Sequence, residues 1–391
     1  MYQTTISFVS ITTSWISTLG HKIAYLLIFS IKHPLVAVSS DTTTCRAWRI
    51  TAPGNVTANL ELVTIPRPTA DHLDKNSLLI RVVSSSIYKG DWYPVELGGV
   101  SKVLGVSYPK TPGYDYGGHV VAVGRKVTKV KPGDVVFGRM DPMKQGSLGE
   151  YIVAPVEGVA VLPQGVSPRQ AGTAGTCALA AYQSLAPFVE PGDRVLINGG
   201  SGGVGTFGIQ IARALGCSVT VTCSTEKIRL CTDLGADDVI DYKRQDVLKA
   251  LQKRGHVFAH VVDAIGGSPS ELYTLCDQIM VPGKKRHFAS VGGGINAASA
   301  VNMYSGSMRP SWLGGSKTKW TPIIATNVHK DLAQIAVWMG EGKVRAAIDS
   351  TFSFEQVPEA FVRHKKGSVA EKILIDVMEG GGEVLPSKEM A

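Results

Sequence analysis

The chain has 391 residues, of which 43 are Gly and 20 are Pro, and 44% are hydrophobic against 18% charged. A chain of this size buries a large core and accommodates two compact domains or one discontinuous domain, and its composition excludes disordered and low-complexity chains. The net charge is +8, but no basic run carries interleaved aromatic residues, so we expect no nucleic-acid partner.

Residues 1–40 differ in composition from the rest of the chain. They contain no Asp, Glu or Arg, and their apolar stretch from Ile23 to Ile31 has only nine residues. A spanning helix needs about 20 apolar residues, and a signal peptide needs a charged start and a small-residue cleavage site. Residues 1–44 are therefore either a disordered or gene-model extension, or a targeting segment that associates with membranes through residues 1–35. We expect a cytoplasmic protein, with a mitochondrial or membrane-associated location as the alternative.

Short β-like runs separated by turns fill the chain from Arg46 to about Pro163, which is typical of a β-rich domain. Ser167 followed by Pro168 then predicts a helix that runs through Ser184, since Ser caps helices and Pro suits their first turn. The clearest of the β-like runs are residues 77–83, 118–124 and 134–138.

After residue 193 apolar strands alternate with helices of about 10–15 residues, and this alternation predicts a doubly wound parallel sheet. The end of the chain returns to mixed structure, so the simplest architecture is an α/β domain inserted into a β-rich one. The predicted strands are 194–198, 219–223, 238–240, 260–263, 286–291 and, near the end, 372–377.

A glycine-rich turn lies between the first of these strands and the helix after it. Gly200, Gly202 and Gly205 have the spacing GxGxxG. In a strand–turn–helix unit this spacing allows a tight turn, close approach of the backbone to a pyrophosphate, and a helix N-terminus aimed at the phosphates. The pattern therefore predicts a dinucleotide site formed by Gly200, Ser201, Gly202, Gly203, Val204 and Gly205.

The end of the second strand indicates which dinucleotide is bound. NAD sites usually place Asp or Glu there to bond the ribose 2′-hydroxyl. Here the strand ends at Ser224, with Lys227 one helical step further on. A hydroxyl and a cation suit a 2′-phosphate, so we expect NADPH. Glu226 argues against it, and we expect that side chain to point into solvent.

With these residues in view, the chain from about Arg46 to Val377 resembles a zinc-independent member of the medium-chain dehydrogenase/reductase superfamily, in its quinone-oxidoreductase-like branch. The resemblance covers most of the chain and depends on five ordered motifs and the tail. They are residues 112–118 (PGYDYGG), 131–136 (KPGDVV), the glycine-rich turn, 234–242 (LGADDVIDY), 262–266 (VDAIG) and 352–377.

The resemblance implies a Rossmann domain, with its doubly wound parallel sheet, inserted in a GroES-like β-rich catalytic domain. The expected organisation is an N-terminal extension at 1–44, the catalytic domain at 45–165 and 321–380, the Rossmann domain at 166–320, and a tail at 381–391. The resemblance also implies that Tyr242 joins Ser224 and Lys227 around the 2′-phosphate, that Gly292 and Gly293 lie beside the nicotinamide ribose, and that the protein is a homodimer formed through the Rossmann sheets.

Residue types at the family's zinc positions favour a site without metal. Zinc-dependent relatives carry a Cys early in the β-domain, a Gly-His-Glu and a four-Cys loop, whereas this chain has Tyr88 and the sequence Gly113-Tyr114-Asp115 there. Zinc needs three or four converging ligands. The six cysteines form no CxxC pair, so we expect core thiols in a reducing compartment, no disulfide framework and no metal.

In an active site without zinc, hydrogen bonds must polarise the substrate carbonyl while hydride is transferred. Relatives line the substrate cleft with Asn-Pro-x-Asp, which here reads Tyr88-Lys89-Gly90-Asp91. We therefore expect Tyr93 first, Tyr88 second and the retained Asp91 to be catalytic. Relatives also place a Thr before Ala-Tyr near the nicotinamide, where this chain has Ala180. Residues 296–310 are expected to cover the substrate.

The leading functional hypothesis is an NADPH-dependent reductase of a small molecule, either a quinone or the C=C bond of an α,β-unsaturated ketone. An enoyl reductase of a biosynthetic, polyketide-like pathway differs from it only in the substrate. A non-catalytic NADPH-binding protein is an alternative of another class, since a fold can be kept without its activity. The altered segment at Tyr88 and Lys89 favours that alternative.

Overall fold

The structure is a computed structural model, which describes residues 43–103, 105–265, 270–283, 287–291, 317–367 and 372–378. The predicted extension at 1–44 lies outside this part apart from its last two residues, and the predicted covering loop at 296–310 lies outside it entirely. None of the helices in the described ranges is long and apolar enough to cross a bilayer.

An antiparallel hairpin and a seven-stranded sheet form the β-rich part of the molecule. The hairpin bridges to the sheet's connecting loops at Gly149 and Lys110. The hairpin strands are β1 (Thr44–Ile50) and β2 (Leu60–Pro66); the sheet contains β3 (Ser77–Ile87), β4 (Asp115–Val123), β5 (Val135–Arg139), β6 (Tyr151–Pro155), β7 (Val159–Val161), β14 (Ile348–Ser353) and β15 (Lys372–Asp376). The sheet order is β14-β15-β3-β4-β5-β7, with β6 also paired to β3. All neighbouring strands are antiparallel except β14 and β15, and we call this the antiparallel sheet.

The second sheet has six parallel strands in the order β10-β9-β8-β11-β12-β13, and it confirms the predicted doubly wound architecture. Its edge strand β13 was not predicted and lies across the expected domain boundary at 320/321. The reason is Pro322, which argues against a strand in a sequence but is tolerated at a sheet edge. The strands are β8 (Arg194–Asn198), β9 (Ser218–Cys223), β10 (Asp238–Asp241), β11 (His260–Asp263), β12 (His287–Val291) and β13 (Lys319–Ile323).

Ten α-helices in the described ranges connect and cover these strands. Short 3-10 helices lie at Ala70–His72, Val156–Gly158, Thr225–Lys227 and Phe354–Gln356. The α-helices are α1 (Lys89–Glu96), α2 (Val100–Val103), α3 (Pro168–Ala171), α4 (Gly175–Leu185), α5 (Gly203–Ala214), α6 (Ile228–Asp233), α7 (Val247–Arg254), α8 (Ser270–Ile279), α9 (His329–Gly340) and α10 (Val357–Lys365).

The prediction of one helix from Ser167 to Ser184 is wrong, because α3 and α4 are separate. Ser167 also makes no side-chain cap. The break lets the chain press against the antiparallel sheet: a Cβ on Gly172 would lie 2.1 Å from Ser84 Oγ and 2.5 Å from Gly117 N. The second helix then begins with Thr176 N–H donating to the Asp115 carboxylate at 2.6 Å.

The two sheets share a core. Buried residues of β5 and β7, among them Phe137 and Ala160, pack in one cluster with α4, α5, α9 and the parallel sheet. A second cluster fills the antiparallel sheet around Tyr116 and Phe361, and a third fills the outer face of the parallel sheet. Helix α4, which is almost wholly buried, therefore lies where the two sheets meet, and we call the region around it the cleft.

Candidate functional site

The predicted glycine-rich turn joins β8 to α5. Gly202 caps the helix without a side-chain hydrogen bond, so the first N–H groups of α5 are available to an anion. A Cβ on Gly205 would lie 2.1 Å from Gly199 O, whereas a Cβ on Gly202 would meet only that atom, at 3.5 Å. The third glycine thus brings helix and strand together, and the second leaves open space above the turn. This arrangement fits a dinucleotide pyrophosphate.

Polar side chains at the carboxyl ends of three parallel strands hold the turn in place. Thr222 accepts a hydrogen bond from Gly199 N–H at 2.9 Å and donates to Asn198 at 2.7 Å. Asn198 in turn donates to Asp263 at 3.1 Å. Ligands of open α/β sheets bind at this edge, so the network fixes the backbone that would face the cofactor.

The predicted 2′-phosphate residues lie at the neighbouring strand ends. Strands β9 and β10 are parallel, with Asp241 opposite Cys223, so Ser224 and Tyr242 follow directly side by side. Tyr242 N–H donates to Cys223 O at 3.1 Å, and its ring is half exposed. Lys227 ends the 3-10 helix that Ser224 begins. The structure therefore brings Ser224, Lys227 and Tyr242 to one edge.

Two further cations lie at this edge that the sequence pattern did not reveal. The Lys243 ammonium lies 5.7 Å from the Tyr242 ring centroid, and Arg244 is 3.7 Å from the Asp241 carboxylate. Glu226 is exposed, as expected, but its carboxylate also accepts a hydrogen bond from Ser224. Hydrogen bonds from its own backbone N–H and from Ser224 lower the pKa of Glu226. A carboxylate thus lies beside the hydroxyl that was assigned to the 2′-phosphate.

On the opposite side of the cleft, Asp91 connects two segments that carry zinc ligands in zinc-dependent relatives. It accepts a hydrogen bond from Tyr88 N–H at 2.8 Å and one from Gly113 N–H at 2.7 Å. Burial raises the pKa of Asp91 to about 7, and the two backbone donors partly oppose that shift. Both carboxylate oxygens are engaged, so Asp91 positions the segment around Tyr88.

The two candidate tyrosines have different surroundings. Tyr88 packs edge-on to Tyr114 with ring centroids 5.4 Å apart. Burial, reinforced by the Asp91 charge, raises the pKa of the Tyr88 hydroxyl well above its usual value, so it stays protonated. Tyr93 is half-buried on α1 and has the Lys89 ammonium 5.1 Å from its ring centroid. Tyr88 is therefore the more enclosed of the two.

A buried ion pair lies at the base of the cleft. The Lys372 ammonium is 3.0 Å from the Asp115 carboxylate, and these residues are 3% and 0% exposed. Asp115 also accepts hydrogen bonds from Ser86 Oγ at 2.9 Å and from the Thr176 hydroxyl. Burial acts against the Lys372 ammonium, but the charges of Asp115 and Cys177 and the hydrogen bond to Asp115 together outweigh it and raise the pKa of Lys372.

This ion pair lies close to the glycine-rich turn at Gly203. A Cβ on Gly203 would lie 3.1 Å from Cys177 Sγ and 3.6 Å from Lys372 Cδ. The Lys372 ammonium is 3.6 Å from the same sulfur. One signal for Lys372 was present in the sequence, a lysine that opens an otherwise apolar strand, but its partner Asp115 is 257 positions away in the chain. The pair links the antiparallel sheet to the first turn of α5.

The described residues were also compared with the ligand groups that a metal ion needs. Across the described ranges no group of three or more His, Cys, Asp or Glu side chains is arranged to hold a metal ion. All six cysteines are buried and none forms a disulfide. The predicted cofactor residues Gly292 and Gly293 lie outside the described residues.

Two family models match the chain. Residues 74–164 match an alcohol dehydrogenase GroES-like domain, and residues 234–375 match a zinc-binding dehydrogenase. Among solved structures, a quinone oxidoreductase from Coxiella burnetii superposes with a TM-score of 0.72 at 25% identity. That match covers 86% of this chain and 100% of the other.

Curated relatives extend over most of the chain. A trans-enoyl reductase of Aspergillus terreus is 36% identical over 355 residues, which is 87% of this chain and 98% of the relative. A mitochondrial NAD(P)H oxidoreductase of Danio rerio is 33% identical, over 70% of this chain and 74% of the relative. A chloroplastic quinone oxidoreductase of Triphysaria versicolor is 27% identical over 85% and 98%. The chain therefore belongs to the medium-chain dehydrogenase/reductase superfamily, in its quinone-oxidoreductase-like branch, and is an oxidoreductase that uses a nicotinamide cofactor.

Proposed function

We propose that the protein is a zinc-independent, NADPH-dependent reductase of α,β-unsaturated carbonyl compounds or quinones. The observation that carries this proposal is the meeting of Ser224, Lys227 and Tyr242 at the strand edge beside the glycine-rich turn. A hydroxyl, an ammonium and an aromatic ring at that edge suit a ribose 2′-phosphate, and Lys243 adds positive charge beside them.

The proposed division of labour follows from the residues of the cleft. NADPH, when bound, supplies the hydride. Gly200, Ser201, Gly202, Gly203, Val204 and Gly205 hold its pyrophosphate, and Tyr88 or Tyr93 donates a hydrogen bond to the acceptor oxygen. A phenol that stays protonated at neutral pH is suited to that task. Asp91 fixes the backbone of the Tyr88 segment through its two hydrogen bonds.

Reduction of an enoyl substrate is the second candidate, and the similarity to a trans-enoyl reductase over nearly that relative's full length favours it. Both candidates predict hydride addition to a C=C bond conjugated with a carbonyl. They differ in whether the acceptor is a free ketone or quinone, or an acyl chain built by a biosynthetic pathway.

The test is a panel of acceptors with product analysis. The purified protein is incubated with NADPH and, in turn, a naphthoquinone, an unsaturated ketone and an unsaturated acyl thioester, with and without a zinc chelator. We expect NADPH oxidation with at least one acceptor and the same rate with chelator. Tight NADPH binding without turnover on any acceptor would instead establish the non-catalytic alternative, and loss of activity on chelation would contradict the metal-free site.

Cofactor choice has its own test. Replacing Ser224 and Lys227 with Ala removes two of the proposed phosphate ligands, and each charge-assisted bond contributes about 1.5–3 kcal/mol. We expect the Kd for NADPH to rise by at least about tenfold while that for NADH changes little. Lys249→Ala, at an exposed lysine of α7, is the matched control. Equal losses for the two cofactors would show that the pocket lies elsewhere.

A further inference from the structure

A buried arginine beside the cleft takes no part in the Lys372–Asp115 ion pair. Arg139 ends β5, and its side chain is 6% exposed. Its Nη1 donates to Asn327 Oδ1 at 2.9 Å, and the Asn327 amide donates back to the Arg139 carbonyl at 3.1 Å. Its Nε is buried without a hydrogen-bond partner. One edge of the guanidinium is therefore anchored, and the edge that contains Nε is not.

The strand register places this side chain on the same sheet face as Asp115. Arg139 lies directly opposite Asp115 in the antiparallel pair β4–β5, and opposed residues project from the same face of a sheet. The Asp115 carboxylate on that face contacts Lys372 and Thr176. Burial raises the pKa of the Tyr88 and Tyr114 hydroxyls, and the Arg139 charge opposes that shift at both. Arg139 thus lies among the cleft residues.

Asp115 does not neutralise Arg139 by direct contact. The Asp115 carboxylate is already occupied by Lys372, Ser86 and Thr176. Within the described residues, no carboxylate oxygen lies within 4.0 Å of a guanidinium nitrogen of Arg139. A buried charge is costly unless it is paired, and the planar edge of a guanidinium matches a carboxylate with two parallel hydrogen bonds. The arrangement suits a ligand that brings its own negative charge.

We propose that Arg139 binds an acidic oxygen of the acceptor, so that the cleft selects unsaturated carbonyl compounds that also carry a carboxylate. This inference rests on the proposed reductase function and names its substrate class. Asn327 holds the guanidinium by one edge and leaves the Nε edge to the substrate. Arg139 is then a specificity-determining residue, and the tyrosines remain the donors to the reacting carbonyl.

A matched pair of acceptors tests the proposal. 6-Oxo-6-phenylhex-4-enoic acid and its methyl ester share one conjugated enone, and two methylene groups separate that enone from the carboxyl group, so the two compounds differ in charge and not in the reactivity of the C=C bond. For the wild-type protein with NADPH we expect the acid to have a kcat/KM at least about tenfold higher than the ester, through a lower KM, since only the acid can form a charge-assisted hydrogen bond with Arg139. In Arg139→Met this preference should vanish, because the acid should lose at least about tenfold more in kcat/KM than the ester loses.

Two other variants keep the test decisive if Arg139→Met folds poorly. Asn327→Asp places a carboxylate on the anchored edge and neutralises Arg139 in place, so the acid preference should again fall. Arg254→Met removes a partly buried arginine of α7 that is paired with Asp238, and it should keep the preference. Equal wild-type kcat/KM for acid and ester, or an equal loss for both in Arg139→Met, overturns the proposal.

Calorimetric titration separates this proposal from the proposed function. If the wild-type protein oxidises no NADPH with either compound, the reductase assignment fails, but binding to the NADPH-saturated protein can still be compared. Tighter binding of the acid than of the ester by the wild type, lost in Arg139→Met, supports the role of Arg139 independently of turnover. Identical binding of the two compounds contradicts it.

Discussion

At the scale of single residues, the buried ion pair of Lys372 and Asp115 makes the stability of the protein depend on both partners. Removing one member of a buried ion pair leaves the other charge without compensation and typically costs about 3–5 kcal/mol. We therefore expect Lys372→Met to lower the free energy of unfolding in urea by that amount. The double variant Lys372→Met with Asp115→Asn should recover part of the loss, because no charge is then left unpaired. A Lys372→Met protein within about 1 kcal/mol of wild type would show that the pair contributes little.

Asp91 makes stability depend on pH. Burial raises its pKa in the folded protein to about 7, from an ordinary value of 3.8. The folded state then binds the proton more tightly than the unfolded state, so this stabilisation is complete at low pH and is lost as the pH rises toward 7. Relative to Asp91→Asn, which cannot ionise, wild type should lose about 2.6 kcal/mol of unfolding free energy between pH 5 and pH 8.

The measurement for Asp91 is urea unfolding of both proteins at several pH values. Asp233→Asn, at an exposed surface pair with Arg229, is the control and should parallel wild type. Parallel curves for wild type and Asp91→Asn would mean that Asp91 is ionised throughout this range. The amide variant should also be less stable than wild type at pH 5, since one of the two backbone N–H groups loses its acceptor.

At the scale of elements, two glycines at the junction of β8 and α5, Gly202 and Gly205, have different roles. A Cβ on Gly205 would lie 2.1 Å from Gly199 O and 2.7 Å from the Gly200 backbone. Backbone atoms cannot move aside cheaply, so Gly205→Ala should push α5 from its strand and weaken NADPH binding by at least about tenfold. Fluorescence of bound NADPH and urea unfolding would report the two effects.

Gly202→Ala is the partner of that variant. Its Cβ would have only an ordinary contact at 3.5 Å, so the expected cost in unfolding free energy is about 0.5–1 kcal/mol, the difference between Gly and Ala as helix caps. If Gly205→Ala were as mild as Gly202→Ala, the close packing of α5 on β8 would not be what fixes the turn.

Sequence patterns predicted those elements whose signals are local. The strands β8, β9, β11 and β15 and the glycine-rich turn follow from short apolar runs and from glycine spacing, and the structure confirms them. Strand β13 was not predicted because it contains Pro322. A proline argues against a strand unless the strand lies at a sheet edge, and the sequence does not show that β13 lies at an edge. The break before α4 depends on how closely Gly172 approaches the other sheet, which no local pattern encodes.

The residues of the cleft follow the same rule at longer range. Ser224 and Lys227 could be predicted from the end of the second parallel strand, and Tyr242 from the family resemblance, but Lys372 and Arg139 could not. The contact of Lys372 with Asp115 spans 257 positions, and that of Arg139 with Asn327 spans 188. Both pairs join segments that are distant in the chain, so composition and periodicity do not identify the partner of either residue.

At the scale of the whole molecule, the described helices α4 and α9 join the two sheets, and Lys372 contacts α4 at Cys177. Helix α4 packs against α5 and against β5, and α9 packs against α4 and β7. The cleft and the glycine-rich turn thus both lie beside the packed helix α4. A substitution at Cys177 or at Gly203 is therefore expected to affect both the cleft and the glycine-rich turn.

The six-stranded sheet ends at β13, which pairs with β12 on one side only among the described strands. An open sheet edge invites pairing with another chain, and a two-fold axis would place β13 of one copy against β13 of its partner. Ile324, directly after β13, is 81% exposed. We therefore propose that the protein is a homodimer joined through this edge.

Light scattering after size-exclusion chromatography would then give twice the chain mass of 41.6 kDa. Ile324→Glu places like charges across the two-fold axis, because each copy of the residue faces its counterpart's edge. We expect that variant to give the monomer mass, and Val103→Glu, at an 86% exposed residue of α2, to remain dimeric. A wild-type monomer would contradict the homodimer, and a dimeric Ile324→Glu protein would move the interface away from β13.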